Sequence, residues 1–328
     1  MKKKLISLLT ISFVINSAEI TKISKIYVAG HNGLVGSAIV RKLKNSGYKN
    51  IVTRSSAELD LRNQFQVEEF FEKEKPEYVF LAAAKVGGIK ANMEYPAQFI
   101  YDNLTIETNV IHAAYKHGVK KLLFLGSSCI YPRDCKQPIK EGYLLTSPLE
   151  KSNEFYAIAK IAGLKLCQAY NRQYGTNFIS CMPTNLYGPN DNYDLETSHV
   201  MAAMIAKFTN AKRTGSKQVI LWGTGNPLRE FLHVDDLADA CLFLMQHYNS
   251  DLPINVGTGK DITIKDLANL IAEKIGYSGE IIFDNSVTDG TPRKLLDVTE
   301  IDKLGWKFNI KLEKGIKKVS KLYFEERR

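Results

Sequence analysis

The chain has 328 residues, of which 45% are hydrophobic and 24% charged, the ordinary balance of a globular protein with a hydrophobic core. Its 44 Lys and Arg residues exceed the 35 Asp and Glu residues, and the formal net charge of +9 favours anionic small ligands. Nucleic acid is excluded as the main partner because the chain has no basic stretch with interleaved aromatics, no zinc-finger spacing and no RNP motif. The five cysteines are odd in number, a chain of this size needs no disulfide framework, and no pair has the C-x-x-C spacing of a zinc or redox site, so no metal is predicted.

The N-terminal segment has the outline of a secretory signal peptide. Three lysines, Lys2, Lys3 and Lys4, precede an apolar run over residues 5–15. This run is too short for a transmembrane helix, and Asn16 stands where a cleavage site normally has a small residue. We interpret residues 1–22 as an N-terminal extension, either signal-like or disordered, and predict no membrane partner.

From Lys25 onward, short apolar runs alternate with longer amphipathic stretches, which predict strands and helices respectively. We predict strands at 25–29, 50–53, 78–82, 121–125, 219–222 and 227–234, and helices at 34–45, 67–75, 106–117, 154–174, 199–209 and 235–247. This alternation predicts an α/β fold, a Rossmann-type doubly wound parallel sheet with a smaller, mixed α/β lobe. Ligands of such a sheet bind beyond the carboxyl ends of its strands.

The turn after the first predicted strand has the glycine spacing of a dinucleotide fingerprint and opens a predicted helix. Its glycines let the backbone approach a pyrophosphate, whose charge the helix N-terminus stabilises. Arg54 ends the second strand, where an acidic residue usually favours NAD and an Arg accommodates the 2′-phosphate of NADP. We therefore predict NADP (NADPH) as the cofactor, bound by Arg54 and by Gly30, His31, Asn32, Gly33, Leu34, Val35 and Gly36.

A phenol and an ammonium lie one helical turn apart at Tyr156 and Lys160, and Ser127 ends the preceding strand and loop. A free phenol has a pKa of about 10, which a neighbouring ammonium is expected to lower. The three side chains are predicted to exchange a proton with a carbonyl oxygen. Because Tyr-x-x-x-Lys also arises by chance on helix surfaces, this prediction depends on Ser127 and on the glycine turn.

Nearly the whole chain after Lys25 resembles the extended short-chain dehydrogenase/reductase family and, within it, the GDP-L-fucose synthases. The most specific elements are Val86-Gly-Gly88, Ser127-Ser-Cys129 and Ser198-His199. The resemblance is carried by residues 30–37, 82–89, 126–132, 153–160, 183–189, 198–200, 222–225, 229–231 and 289–297.

This resemblance implies a bifunctional NADPH-dependent 3,5-epimerase and 4-reductase that converts GDP-4-keto-6-deoxy-D-mannose to GDP-L-fucose. Epimerisation at C3 and C5 needs a base that removes a proton beside the 4-keto group and an acid that returns one on the other face. By resemblance Cys129 is the base and His199 the acid, although a lone Cys is usually a core residue. Tyr156 then donates the proton at C4, with Ser127 and Lys160 beside it.

The resemblance also implies the ligand-binding residues. Those assigned to the cofactor are Lys160, Pro183, Thr184, Asn185, Leu186 and His199, and those assigned to the GDP-sugar substrate are Lys207, Trp222, Arg229 and Asp289. Lys207 and Arg229 suit its diphosphate. Asn32 replaces an Arg that the family often has in the turn, and Ser56 replaces a basic residue near the ribose. Both changes weaken the expected hold on a 2′-phosphate.

The family further implies an NADP-binding Rossmann domain at 23–187 with about 219–250, and a substrate-binding lobe at 188–218 and 251–328. A homodimer is predicted through the Tyr156 helix and its neighbour, and the apolar stretch 158–166 is compatible with it. Since a nicotinamide cofactor and an activated sugar are cytosolic compounds, we predict a cytoplasmic location against the signal-like outline of the first residues.

Two rival functions stay open at this point. A nucleotide-sugar 4-epimerase or 4,6-dehydratase of the same family has no need of Cys129 and His199. A non-catalytic dinucleotide-sensing protein has no need of Ser127, Tyr156 and Lys160. The presence of both sets favours the epimerase-reductase.

Overall fold

A computed structural model describes residues 19–287 and 289–325. The strands of this part of the chain are β1 Ile26–Ala29, β2 Ile51–Val52, β3 Tyr78–Leu81, β4 Lys121–Leu125, β5 Phe178–Pro183, β6 Asn185–Tyr187, β7 Gln218–Trp222, β8 Leu228–His233, β9 Ile254–Val256, β10 Asp261–Thr263, β11 Glu280–Asp284 and β12 Arg293–Lys294. Its helices are α1 Leu34–Asn45, α2 Gln64–Glu74, α3 Ile89–Glu94, α4 Pro96–Lys116, α5 Glu154–Tyr174, α6 Val200–Thr214, α7 Val234–His247, α8 Ile264–Ile275, α9 Thr299–Lys303 and α10 Leu312–Glu325.

The main sheet is parallel and has the order β2-β1-β3-β4-β5-β9. Its strands are buried on both faces and therefore read as continuous apolar runs, as in Tyr78–Leu81. Alternate residues of each strand enter different cores, so that Ile26 and Val28 pack with α1 and α7, whereas Tyr27 and Ala29 pack with α2, α4 and α5. The predicted doubly wound parallel sheet is confirmed.

The rest of the chain forms two smaller sheets. In one, β8 pairs with β6, β10 and β12, and in the other β7 pairs with β11. A third hydrophobic core joins α6, α8 and α10 to these strands. Two predicted boundaries need correction. Strand β9 belongs to the main sheet because its buried side chains pack there, and β7 belongs with β11 because its Val219 and Leu221 enter the third core. The division into two domains stays a prediction.

At the N-terminal side, the folded chain includes residues of the predicted extension. Ile20 is only 7% exposed and packs in the same core as Ile26, and Lys22 accepts a backbone hydrogen bond from Lys49. The signal-like segment lies outside the described residues, apart from residues 19–22. No helix within 19–287 and 289–325 is both long enough and apolar enough to cross a membrane.

Helix α4 begins at Pro96, ten residues before its predicted start at Ile106. Two polar residues, Asn103 and Glu107, interrupt the apolar pattern there, yet both are buried. Asn103 accepts a hydrogen bond from the Lys85 backbone and donates one back to the Lys85 carbonyl. The pattern misplaced the start of the helix because these buried polar groups have partners that only the tertiary structure provides.

Candidate active site

One cleft of about 1850 Å³ opens beyond the carboxyl ends of the main-sheet strands. Single-ligand pockets commonly measure about 300–1,000 Å³, so this cleft is large enough for two nucleotide-sized ligands. Every site residue predicted from the sequence lines it: Gly30, His31, Asn32, Gly33, Leu34, Val35, Gly36, Arg54, Ser127, Cys129, Tyr156, Lys160, Pro183, Thr184, Asn185, Leu186, His199, Lys207, Trp222, Arg229 and Asp289.

The glycine turn forms a cradle that a side chain would fill. Gly30 has a φ of +80°, and a Cβ added there would lie 2.8 Å from the backbone of Ala83. A Cβ on Gly36 would collide with the Gly30 carbonyl. The N-cap of α1 is Gly33, which offers no side-chain cap, so the first N–H groups of the helix are available to an anion. The turn therefore fits a dinucleotide pyrophosphate.

Arg54 lies at the edge of the cleft, but its guanidinium already has partners. It donates to the Thr53 carbonyl at 2.8 Å and pairs with Glu74 at 2.6 Å. It also lies over the ring of Phe70. Glu74 pairs in addition with Lys25 at 2.8 Å. A 2′-phosphate at this position therefore competes with Glu74 for the arginine.

The expected effect of Lys160 on Tyr156 is wrong in this structure. Lys160 Nζ pairs with Glu107 Oε1 at 2.9 Å, and the two side chains are only 3% and 1% exposed. Burial raises the pKa of Tyr156 well above its usual value, and the charges of Cys129 and Glu107 act in the same direction. A hydrogen bond with Ser127 opposes them only partly. The phenol therefore keeps its proton at neutral pH.

The two residues predicted to epimerise the sugar lie in the same cleft. The Cys129 backbone N–H donates to Ser127 Oγ at 3.2 Å, and Lys294 Nζ lies 3.7 Å from Cys129 Sγ. His199 precedes the first turn of α6. Burial and, to a smaller extent, the Lys294 charge hold the pKa of His199 below its ordinary value. Neutral imidazole therefore predominates at neutral pH, and the imidazolium is a stronger acid than usual.

The predicted substrate-binding residues line the same cleft. Lys207 donates to the Ile220 carbonyl at 2.9 Å and lies 5.5 Å from the ring centroid of Trp222, whose side chain is exposed. The Asp289 carboxylate accepts hydrogen bonds from the backbone and hydroxyl of Thr224, at 3.0 and 2.6 Å. The Lys207 ammonium and the exposed Trp222 ring thus lie next to each other. The Asp289 carboxylate, in contrast, is already hydrogen-bonded by Thr224.

The predicted cofactor loop at 183–186 has a structural part as well. Thr184 Oγ1 and Asn185 Nδ2 both donate to the Glu230 carbonyl, at 3.2 and 2.8 Å. The loop therefore fixes β8, the strand that carries Arg229. Burial lowers the pKa of Arg229, which nonetheless stays charged at neutral pH.

The sequence profile of the NAD dependent epimerase/dehydratase family matches residues 26–257. The chain belongs to this family. The family predicted from the motifs is thus confirmed, and the chain is an enzyme of the epimerase/dehydratase family.

Curated relatives within the epimerase/dehydratase family resemble nearly the whole chain. GDP-L-fucose synthase 1 of Arabidopsis thaliana is 58% identical over 93% of this chain and 94% of its own. GDP-L-fucose synthase of Escherichia coli (strain K12) is 51% identical over 92% of this chain and 97% of its own. A solved structure of GDP-mannoheptose C4 reductase from Campylobacter jejuni, with NADP bound, is 42% identical, covers 93% of this chain and 99% of its own, and has a TM-score of 0.86.

Sequence reasoning about this family member missed Glu107 and assigned no role to Lys294. Glu107 follows Asn103 by four residues and precedes Val110 and Ile111, so it occupies the apolar stripe of α4. A carboxylate in such a stripe indicates a buried partner. Lys294 lies within a segment that carried the resemblance. Asp191 also lines the cleft, and burial raises its pKa to about 7.

We expect Glu107→Ala to lower the free energy of unfolding by about 3–5 kcal/mol, because it leaves the Lys160 ammonium buried without its partner. Urea titration followed by tryptophan fluorescence measures this. The control is Glu300→Ala, which breaks an exposed pair with Lys303 and is expected to cost about 1 kcal/mol or less. Equal losses in the two variants would contradict the assignment of a buried, structurally demanding pair.

Proposed function

We propose that this enzyme is a bifunctional NADPH-dependent 3,5-epimerase and 4-reductase that converts GDP-4-keto-6-deoxy-D-mannose to GDP-L-fucose. The observation that carries the proposal is that Cys129 and His199 line the same cleft as Ser127 and Tyr156. Relatives named GDP-L-fucose synthase, 51–58% identical over nearly the whole chain, support it.

The cofactor that we propose is NADP. The pyrophosphate is assigned to the glycine turn and α1, the 2′-phosphate to Arg54, and the nicotinamide half to Lys160 and the loop 183–186. The NADP-bound C4 reductase, 42% identical, supports this choice. When bound, NADPH supplies the hydride that reduces C4. The residues of the chain position the sugar carbonyl, exclude water and move the protons.

In the epimerisation, the Cys129 thiolate removes the proton at C3 or C5. The C–H bond breaks, an S–H bond forms, and the electron pair moves onto the C4 oxygen, giving an enolate. Tyr156 and Ser127 are placed to hydrogen-bond that oxygen. His199, as imidazolium, returns a proton to the opposite face of the same carbon. The 4-keto group acidifies both positions, so one thiol and one imidazole serve both, once solvent has taken the proton from sulfur and returned one to the imidazole.

In the reduction, Tyr156 donates its proton to the C4 oxygen as the carbonyl becomes an alcohol. The environment that raises the pKa of Tyr156 suits this donor role, since the phenol stays protonated until the oxygen needs it. Lys160, held by Glu107, lies 5.9 Å from the Tyr156 ring centroid. The Ser127 hydroxyl hydrogen-bonds the phenolate that remains, since this bond favours the charged form of Tyr156.

We assign the diphosphate of the substrate to Lys207 and Arg229, and a planar or apolar face of it to Trp222. Burial lowers the pKa of Lys207 from its ordinary high value. An anionic ligand beside this amine favours its charged form. A GDP-sugar thus meets two basic side chains in the cleft.

A second candidate is a GDP-sugar C4 reductase without epimerase activity, which the 42% identical C4 reductase favours. The two differ in one observable. An epimerase-reductase exchanges the C3 and C5 protons with solvent, whereas a simple reductase does not. A nucleotide-sugar 4-epimerase, the rival named above, regenerates its cofactor, so it would cause no net oxidation of NADPH.

The first test supplies purified protein with GDP-4-keto-6-deoxy-D-mannose and follows the absorbance of NADPH, with NADH run beside it. We expect NADPH to be consumed and preferred. Arg54→Met should raise the KM for NADPH by about tenfold or more and leave that for NADH nearly unchanged, because a charged hydrogen bond to the 2′-phosphate is lost. Arg172→Met, at an exposed pair with Asp251, is the control. Absence of turnover with both cofactors would refute the function.

A homodimer and a cytoplasmic location stay predictions. Tyr101 on α4 and Phe155 and Ile158 on α5 are exposed apolar side chains, and α4 packs against α5 within the chain. These exposed groups support a second copy as the partner of this helix pair, which sedimentation analysis tests.

A further inference from the structure

Lys294 projects into the cleft from the short strand β12. Its register partner on β8 is Arg229, and both line the cleft because paired residues of neighbouring strands share a face. The preceding residue, Arg293, is exposed and pairs with Asp261 at 2.6 Å. Successive side chains of a strand point to opposite faces, so Arg293 lies at the protein surface and Lys294 faces the cleft.

The ammonium of Lys294 lies 3.7 Å from Cys129 Sγ. The backbone of Cys129 is held in place, since its N–H donates to Ser127 Oγ at 3.2 Å. Glu150, which lines the same part of the cleft, is paired with Arg133 at 3.3 Å. Lys294 therefore lies against the thiol, and the Arg229 guanidinium is a second cation close enough to interact with the charge of Cys129. Adjacent cations make a cysteine reactive.

A second observation places the same charge near the other epimerisation residue. The Lys294 charge contributes to lowering the pKa of His199, after burial. The Lys294 ammonium thus lies near both proposed proton-transfer groups, in contact with Cys129 Sγ and close to His199.

We propose that Lys294 is a further catalytic residue, whose ammonium contacts Cys129 Sγ and stabilises the thiolate that removes the C3 and C5 protons. This inference rests on the proposed function. When the thiolate takes a proton from carbon, its negative charge passes to the C4 oxygen and the S–H bond forms. Lys294 keeps its proton throughout, and its contact with sulfur is restored when the thiol loses its proton again.

The test is the rate at which iodoacetamide alkylates Cys129 in the free enzyme at pH 7, followed by mass spectrometry of peptides. Since the thiolate is the reactive form, Lys294→Met and Lys294→Gln should slow alkylation by about fivefold or more, the effect of unit charges at this separation even when solvated. Lys294→Arg should restore most of the rate. Arg293→Met is the matched control and should react like the wild type.

The buried Cys167, Cys181 and Cys241 report on folding, since they become reactive only if a variant unfolds. If either Lys294→Met or Lys294→Gln fails to fold, the alkylation rate of the other variant still tests the inference. An unchanged or faster rate at Cys129 in a folded neutral variant, or a slow rate in Lys294→Arg, would overturn the inference.

Solvent deuterium exchange of the sugar separates this inference from the proposed function. Slow alkylation in the neutral variants with no exchange in the wild type refutes the epimerase and leaves the contact between Lys294 and Cys129 standing. Exchange in the wild type with unchanged alkylation refutes the role of Lys294 alone. If Lys294 only binds the diphosphate, its loss raises the KM of the substrate and leaves the alkylation rate unaltered.

Discussion

Replacement of Tyr156 by Phe is expected to lower the rate of reduction at C4 by about 10²–10⁴-fold, while C3 and C5 continue to exchange with solvent. The phenol is the proposed proton donor to the C4 oxygen, and Phe keeps the ring that meets Phe99 edge-on at a centroid distance of 6.3 Å. NADPH consumption measures the reduction, and mass analysis of the recovered keto sugar in deuterium oxide measures the exchange.

Tyr174→Phe is the control for this substitution, because Tyr174 lies on the same helix and is exposed. We expect Tyr174→Phe to reduce the keto sugar at the wild-type rate. A raised pKa keeps a donor protonated to higher pH, so wild-type reduction should show no loss from Tyr156 ionisation between pH 7 and pH 9. Reduction at an undiminished rate in Tyr156→Phe would contradict the donor role.

The second large effect is expected from Cys129→Ser. A serine hydroxyl is a far weaker base than a thiolate, so exchange at C3 and C5 should fall by about 10²-fold or more. Formation of GDP-L-fucose should fall with it, since reduction of the correct epimer needs both inversions. Deuterium content of the sugar, read by nuclear magnetic resonance, measures the loss at each position separately.

Cys135→Ser is the matched control, six residues along the chain and, like Cys129, half-buried and free. It should keep both activities. If Cys129→Ser exchanges as fast as the wild type, another group is the base. Loss of exchange at one carbon only would show that the two epimerisations use different bases.

The sequence predicted the parts of this molecule that depend on local pattern. The strand–turn–helix at Gly30 follows from apolar periodicity and from the need for glycine in a tight turn. The alternation of strands and helices likewise predicted a parallel sheet. Strand β9 was given to the wrong lobe, because a short apolar run such as Ile254–Val256 does not reveal which sheet it joins.

The electrostatics of the site could not be predicted in the same way. The i, i+4 spacing of Tyr156 and Lys160 indicated an ammonium that acidifies a phenol. That expectation failed because Glu107, 53 residues before Lys160 and on another helix, takes the ammonium, and because burial dominates at the phenol. The contact between Lys294 and Cys129 joins residues 165 positions apart. Such pairs are set by tertiary packing and leave no periodic signal.

One cleft is proposed both to epimerise and to reduce the same sugar. The most direct measurement is the product formed from GDP-4-keto-6-deoxy-D-mannose and NADPH in deuterium oxide, analysed by nuclear magnetic resonance. We predict GDP-L-fucose with deuterium at C3 and C5 and protium from the cofactor at C4. A reduced sugar that keeps its original configuration and its protium at C3 and C5 would contradict the claim.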